Sequence, residues 1–262
     1  MFPYLLHDNF EWNKVETKID EAKKKELLKI FPKDHFINTH RPDFWDMDSL
    51  YALGIHLFDF NDDKKLDIVY NGYFPAEGYV IEMYQNTGSG YKLILTEYQR
   101  FLDIEFENRK LKRLVITNPG CCADPIIRNK VIDVTHDKNV LTFQTSTSIE
   151  ILRGTIFPDK IKDPIEFETI NETYFLRSSP EIKNEPFDEY LEMNGNQIGT
   201  LRRGTKGRMI GEETDTTGRI WWFVEIYSDY KIINNVFYTD EYYSNDGANR
   251  VGWISSRYVK QL

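Results

Sequence analysis

The chain has 262 residues, 40% of them hydrophobic, enough to bury one large core or two modest ones. A formal charge of −9 leaves no broad basic footprint for a phosphate backbone, which excludes nucleic acid as a partner class. No apolar run reaches the roughly 20 residues that a membrane-spanning helix requires, so no transmembrane segment is expected.

The first residues carry neither a basic leader nor a sustained apolar stretch. The compartment stays open between the cell interior and, with a leader already removed, the envelope or exterior. Residues 1–44 read as a helical lead-in. Asn13 with Glu16 has the spacing of a capping box, and Val15, Ile19, Ala22 and Leu27 hold one apolar face, which predicts a surface helix over 13–31 ended near Pro32. The run Lys23-Lys24-Lys25 reads as a solvated helix face rather than an anion site. The closely spaced Asp43, Asp46 and Asp48 read as solvated loop acids rather than an acid–base pair.

Residues 45–158 read as an antiparallel β domain. Residues 66–70, 79–84, 91–95, 113–117 and 140–143 are short β-rich runs separated by turn signals such as Asn71-Gly72 and Asn118-Pro119-Gly120. Tight turns between strands imply antiparallel pairing rather than crossover helices. Within this domain Asp59, Asn61, Asp63, Lys65 (through its carbonyl) and Asp67 place oxygens at alternate positions of one loop, a pattern that can wrap Ca²⁺. The loop resembles the calcium loops of FG-GAP repeats, with Lys64 where the family has Gly. The resemblance implies a weak structural Ca²⁺ site. The other reading is an acidic loop closed by Asx hydrogen bonds without metal. A single such loop argues against a propeller.

The only cysteines are the neighbours Cys121 and Cys122, too few for a disulfide framework. They read as small buried residues, with a strained ring disulfide or a soft-metal site as alternatives. A thiol hydrolase would pair Cys121 or Cys122 with His136. A Pro-Gly turn between strands lacks the helix N-terminus that activates such a nucleophile, so no catalytic residue is assigned.

Phe157–Pro164, with two prolines and alternating charge, reads as the linker to a module at 165–262. There Tyr174-Phe175-Leu176-Arg177-Ser178-Ser179-Pro180 is followed by Ile198-Gly199-Thr200-Leu201, Gly207 to Glu212, Gly218 to Ile226, and Gly252-Trp253-Ile254-Ser255-Ser256-Arg257-Tyr258-Val259. Over residues 172–262 this order resembles bacterial Src-homology-3 domains, which implies a small β-barrel that binds cell-wall peptides and has no chemistry of its own. Trp221 and Trp222, as neighbours on one strand, must point to opposite sides, one into the core and the other outward. An insertion at 228–250, absent from most relatives, reads as an ordered aromatic hairpin arm.

These elements add up to a mainly β protein: an N-terminal antiparallel β domain with one leading α-helix, plus a C-terminal SH3-like β-barrel. The expected function is non-catalytic recognition of a peptide, glycopeptide or protein through Trp221, Trp222, Tyr230, Tyr238, Tyr242, Tyr243, Trp253 and Tyr258. The module types point to the cell envelope or exterior. A second reading is an intracellular interaction protein whose barrel is purely structural.

Overall fold

The computed structural model describes residues 10–31, 51–74, 78–120, 124–137, 140–237 and 247–262. The protein is mainly β, with one short α-helix. None of its described helices is long and apolar enough to cross a membrane. It divides into two compact units, one of Pro3–Asn118 with Lys130–Ser146, the other of Pro119–Asn129 with Thr147–Leu262.

The helix is shorter than its periodicity suggests. α1 spans Glu21–Leu27, and its cap is Asp20, whose carboxylate accepts the Lys23 N–H at 2.7 Å. Glu16 does not close a capping box, because its carboxylate is bonded to Nδ1 of His56 at 2.7 Å. The three lysines of the run pair with Glu26, Glu16 and Glu21. Asp43, Asp46 and Asp48 lie outside the described residues.

In the first unit β1 (Ile55–Phe58), β2 (Asp67–Phe74), β3 (Gly78–Asn86) and β4 (Tyr91–Glu97) form an antiparallel sheet in that order. The alternation of β2 and β3 serves two cores. Val69, Ile81 and Met83 pack with Phe101, Leu114, Ile116 and Ile132 from β5 (Arg100–Glu107), β6 (Lys110–Asn118) and β7 (Ile126–Asp137). Ile68, Tyr70, Val80 and Tyr84 face the other way, towards Leu27 and Phe31. The lead-in thus covers the outer face of the sheet, which explains why successive residues of β2 are apolar. β1, β5 and β7 lie beyond the runs picked out in the sequence. The two-residue loop Asn108-Arg109 joins β5 to β6 with both φ values positive, as a hairpin turn of matching twist requires.

β7 and β8 (Val140–Leu152) form a long hairpin whose base belongs to the second unit. The expected linker is not a linker. Its second half, Ile161–Pro164, opens strand β9 (Ile161–Thr169), which pairs with β14 (Lys206–Thr214). The register of that pair shifts between Met209 and Gly211, and Pro164 falls in the shifted stretch, where its missing N–H breaks no ladder bond.

The remaining strands are β10 (Thr173–Arg177), a small pair β11 (Phe187–Asp188) and β12 (Met193–Asn194), β13 (Gln197–Arg202), β15 (Ile220–Ile226), β16 (Asn249–Ser255) and β17 (Val259–Gln261), the last following a 3₁₀ turn at Ser256–Tyr258. Pairing runs β17-β9-β14-β15-β16, and β10 joins β13 to β16. Among the described residues these pairings do not close into a ring. Phe167, Leu176, Ile198, Leu201, Val224, Ile226 and Ile254 form the core beneath them.

The first part of the insertion is not a free-standing arm. Ile232, Val236 and Phe237 are buried in that core, and Ile233 exchanges backbone hydrogen bonds with Thr200 of β13 at 2.8 and 3.0 Å. Residues 238–246, including Tyr238, Tyr242 and Tyr243, lie outside the described residues.

Candidate functional site

Trp221 and Trp222 do take opposite faces of β15, but neither face is an open trough. Trp222 packs against the core with Phe167 at 6.3 Å between ring centroids, and its Nε1–H donates to Glu212. Trp221 is fully buried on the other face, and its Nε1–H donates to Asp215 at 2.9 Å. That face continues through Phe223 and Trp253, which are also fully buried. Segment 155–158 covers it: Phe157 packs on Phe223, and the Ile156 carbonyl accepts the Trp253 indole N–H at 2.7 Å. The expected ligand role of Trp221 and Trp253 is therefore corrected, since a side chain with no exposed surface cannot touch a ligand. Tyr230 and Tyr258 are half-buried, the latter packed against Tyr174 with the rings tilted and their centroids 4.2 Å apart.

The open aromatic surface of this unit lies elsewhere. In β10, Tyr174 and Leu176 point into the core, so Phe175 and Arg177 point away from it. Phe175 is 39% exposed and borders a cleft of 180 Å³ lined also by Glu192, Met193, Asn194, Gln197, Gly199, Thr200 and Asn234. The exposed Phe187 pairs across the β11–β12 ladder with Asn194, which places a second ring on the hairpin beside the cleft. Period-two alternation could have found Phe175. Nothing local to it signals Glu192 or Asn234.

Loop 178–196 builds one wall of this cleft, and Asn196 organises the loop. Its Oδ1 accepts from Arg177 at 2.6 Å and from the Lys183 N–H, while its Nδ2 donates to Ser179 and to the Glu181 carbonyl. Arg177, only 3% exposed, also donates to the Lys183 carbonyl and to Asn184 Oδ1. Burial holds its pKa below the ordinary arginine value.

The acidic loop directs its oxygens inward upon its own backbone. Asp59 accepts the N–H groups of Asn61, Asp63 and Lys64; Asp63 accepts that of Lys65; and Asp67 accepts those of Phe60 and Asn86. Asp62 and Lys64 take positive φ, the left-handed conformation that glycine adopts most readily. Lys64 and Lys65 pair with Asp62 and Asp63. Burial raises the Asp67 pKa to about 6. Among the described residues no group of three or more His, Cys, Asp or Glu is arranged to hold a metal ion.

His136 Nε2 lies 2.6 Å from the Leu111 carbonyl, to which it donates as Nε2–H. Asp124 pairs with Arg128. Cys121 and Cys122 lie outside the described residues. Glu225 and Glu150, both buried, are matched by Arg208 and Arg250 at 2.9 and 3.0 Å, which accounts for them as structural ion pairs.

Neither a family model, a curated protein nor a solved structure matches this chain.

Proposed function

We propose that the chain is a non-catalytic binding protein, that residues 172–262 are an SH3-type barrel of the bacterial kind, and that it recognises a peptide or glycopeptide of the cell wall. The order of elements supports the barrel reading: β10, then a long loop, β13, the β14–β15 hairpin, β16 carrying Gly252-Trp253-Ile254, a 3₁₀ turn and β17. β17 returns to pair with β9, the strand that leads into this stretch, which brings the chain's last strand back beside the module's entry.

The observation that carries the binding reading is the cleft bordered by Phe175. An exposed ring beside convergent amide and hydroxyl groups is the make-up of a recognition site. A volume of 180 Å³ holds one side chain or small group, not a whole ligand, so the cleft acts as an anchor for a longer chain running past Phe187 and Tyr190.

Retention on purified peptidoglycan sacculi tests the reading. The wild-type chain is retained, and Phe175→Ala reduces its affinity by about tenfold or more, as removal of an aromatic anchor does. Absence of wild-type retention, or a Phe175→Ala chain that binds as the wild type does, removes the reading.

A further inference from the structure

We propose that the cleft is a subsite for a protonated primary amine carried by a peptide. This rests on the binding reading above and names the group that the cleft holds.

Charge is the first support. Glu192 lines the cleft, is exposed, and forms no ion pair among the described residues. The loop that carries it, 178–196, holds Glu181, Glu185, Asp188, Glu189 and Glu192 against a single lysine, Lys183, which is itself paired with Glu181 at 2.7 Å. The cleft therefore opens into a local negative field on a chain already at −9, which concentrates cations and repels carboxylates and phosphates.

Hydrogen-bonding geometry is the second. Gln197 Nε2 donates to Asn184 Oδ1 at 2.8 Å, and the same oxygen accepts from Arg177 at 3.0 Å. That bond fixes the Gln197 amide and leaves Oε1 as an acceptor. Glu192, Gln197 and Thr200 among the lining residues each carry an oxygen that can accept, the complement of an ammonium group with three donors and no acceptor. Phe175 adds a ring surface that favours a cation. Arg177 stands over that ring at 5.6 Å from its centroid, but it is buried and held by neutral partners, so the exposed carboxylate is the charge a ligand meets.

Backbone strain is the third. Glu192 and Asn234 have φ values of 51° and 45°, and they come from different loops. A left-handed conformation costs a glutamate free energy that glycine would avoid, and such residues cluster where they position a functional group. Here both line the same small cleft.

The test titrates the ¹⁵N-labelled full chain with three short peptides: acetyl-Ala-Lys-Ala-amide, Ala-norleucine-Ala-amide with a free amino terminus, and acetyl-Ala-norleucine-Ala-amide without an amine. The first two shift the side-chain amide signals of Gln197, Asn194 and Asn234, and their relative strength tells a side-chain amine from a terminal one. The third peptide leaves these signals in place. Glu192→Gln, with an otherwise unchanged spectrum, weakens the amine peptides by about fivefold. Equal binding of the amine-free peptide, an unaffected Glu192→Gln chain, or no shift with any peptide overturns the proposal. Sacculi whose amines have been acetylated separate the two readings. Undiminished, Phe175-dependent retention on them leaves wall binding standing and removes the amine, whereas no wild-type retention on untreated sacculi removes wall binding.

Discussion

Trp221 and Asp215 are joined by a hydrogen bond of 2.9 Å that links a fully buried indole to the turn between β14 and β15. The other carboxylate oxygen of Asp215 accepts from the Thr217 hydroxyl and from the N–H groups of Thr217 and Arg219. One side chain thus shapes the turn and satisfies the indole. The Thr217 hydroxyl, then the Trp221 indole, hold the Asp215 pKa well below the usual carboxylate range. A depressed carboxylate contributes stability that is present above the ordinary value of 3.8 and is lost as pH falls. Asp215→Ala therefore lowers the thermal midpoint at neutral pH by more than Asp215→Asn. The gap between wild type and Asp215→Asn narrows on acidification below about pH 4. Melting curves across that range check both statements, and an Asp215→Ala midpoint equal to wild type would falsify them.

Asp67 and His56 give opposite slopes of stability against pH. Burial, with repulsion from Asp63 and Asp59, raises Asp67 to about 6 from 3.8 against the pull of two backbone N–H bonds. From about pH 4 to 6 the unfolded chain has released a proton that the fold retains, so this contribution falls as pH rises. Burial lowers His56 to about 4 from 6.5 in spite of Glu16, with Trp12 stacked on the imidazole at 3.6 Å. From about pH 6.5 down to 4 the unfolded chain takes up a proton that the fold refuses, so this contribution falls as pH drops. Each amounts to about 3 kcal/mol when fully developed. In the shared window Asp67→Asn exposes the His56 slope, and stability climbs more steeply with pH than in wild type. His56→Gln exposes the Asp67 slope, and stability declines with rising pH. Urea denaturation of the three chains at several pH values reads the difference, and parallel curves would refute both assignments.

The docking of the insertion depends on Gly199. A Cβ there would collide with the Cγ2 methyl of Ile232 and crowd Asn235. Gly199→Ala is expected to cost about 1–3 kcal/mol by overpacking. Ile232→Ala removes the obstructing methyl, so the double variant loses less than the sum of the two single losses, by roughly 1 kcal/mol or more. Strictly additive losses would mean that the strap moves aside without contact between these positions.

Calcium has little to gain at the acidic loop. Asp59, Asp63 and Asp67 already accept backbone N–H groups, and two lysines neutralise part of the field. The midpoint in millimolar Ca²⁺ is expected to match that in chelator. A ligand of the folded state raises the midpoint, so a reproducible rise, cancelled by Asp59→Asn, would restore Ca²⁺ to this loop.

Much of the chain is legible because its signals are local. Period-two alternation locates β2, β3, β4, β6 and part of β8, turn residues separate them, and neighbouring tryptophans must part to opposite faces of β15 wherever that strand lies. The order of motifs after residue 172 likewise anticipates β10, β13, β14, β15, β16 and β17. Tertiary structure decides what covers each face. Glu16 leaves its capping position for a histidine 40 residues away, and the Trp253 indole is closed over by a carbonyl 97 residues earlier. The cleft has the same origin, since Phe175, Glu192 and Asn234 meet only because loop 178–196 and the insertion both close upon β13. Alternation fixes which side chains share a face. Whether that face meets water, a partner or another part of the chain is set by long-range packing, to which no short window of sequence has access.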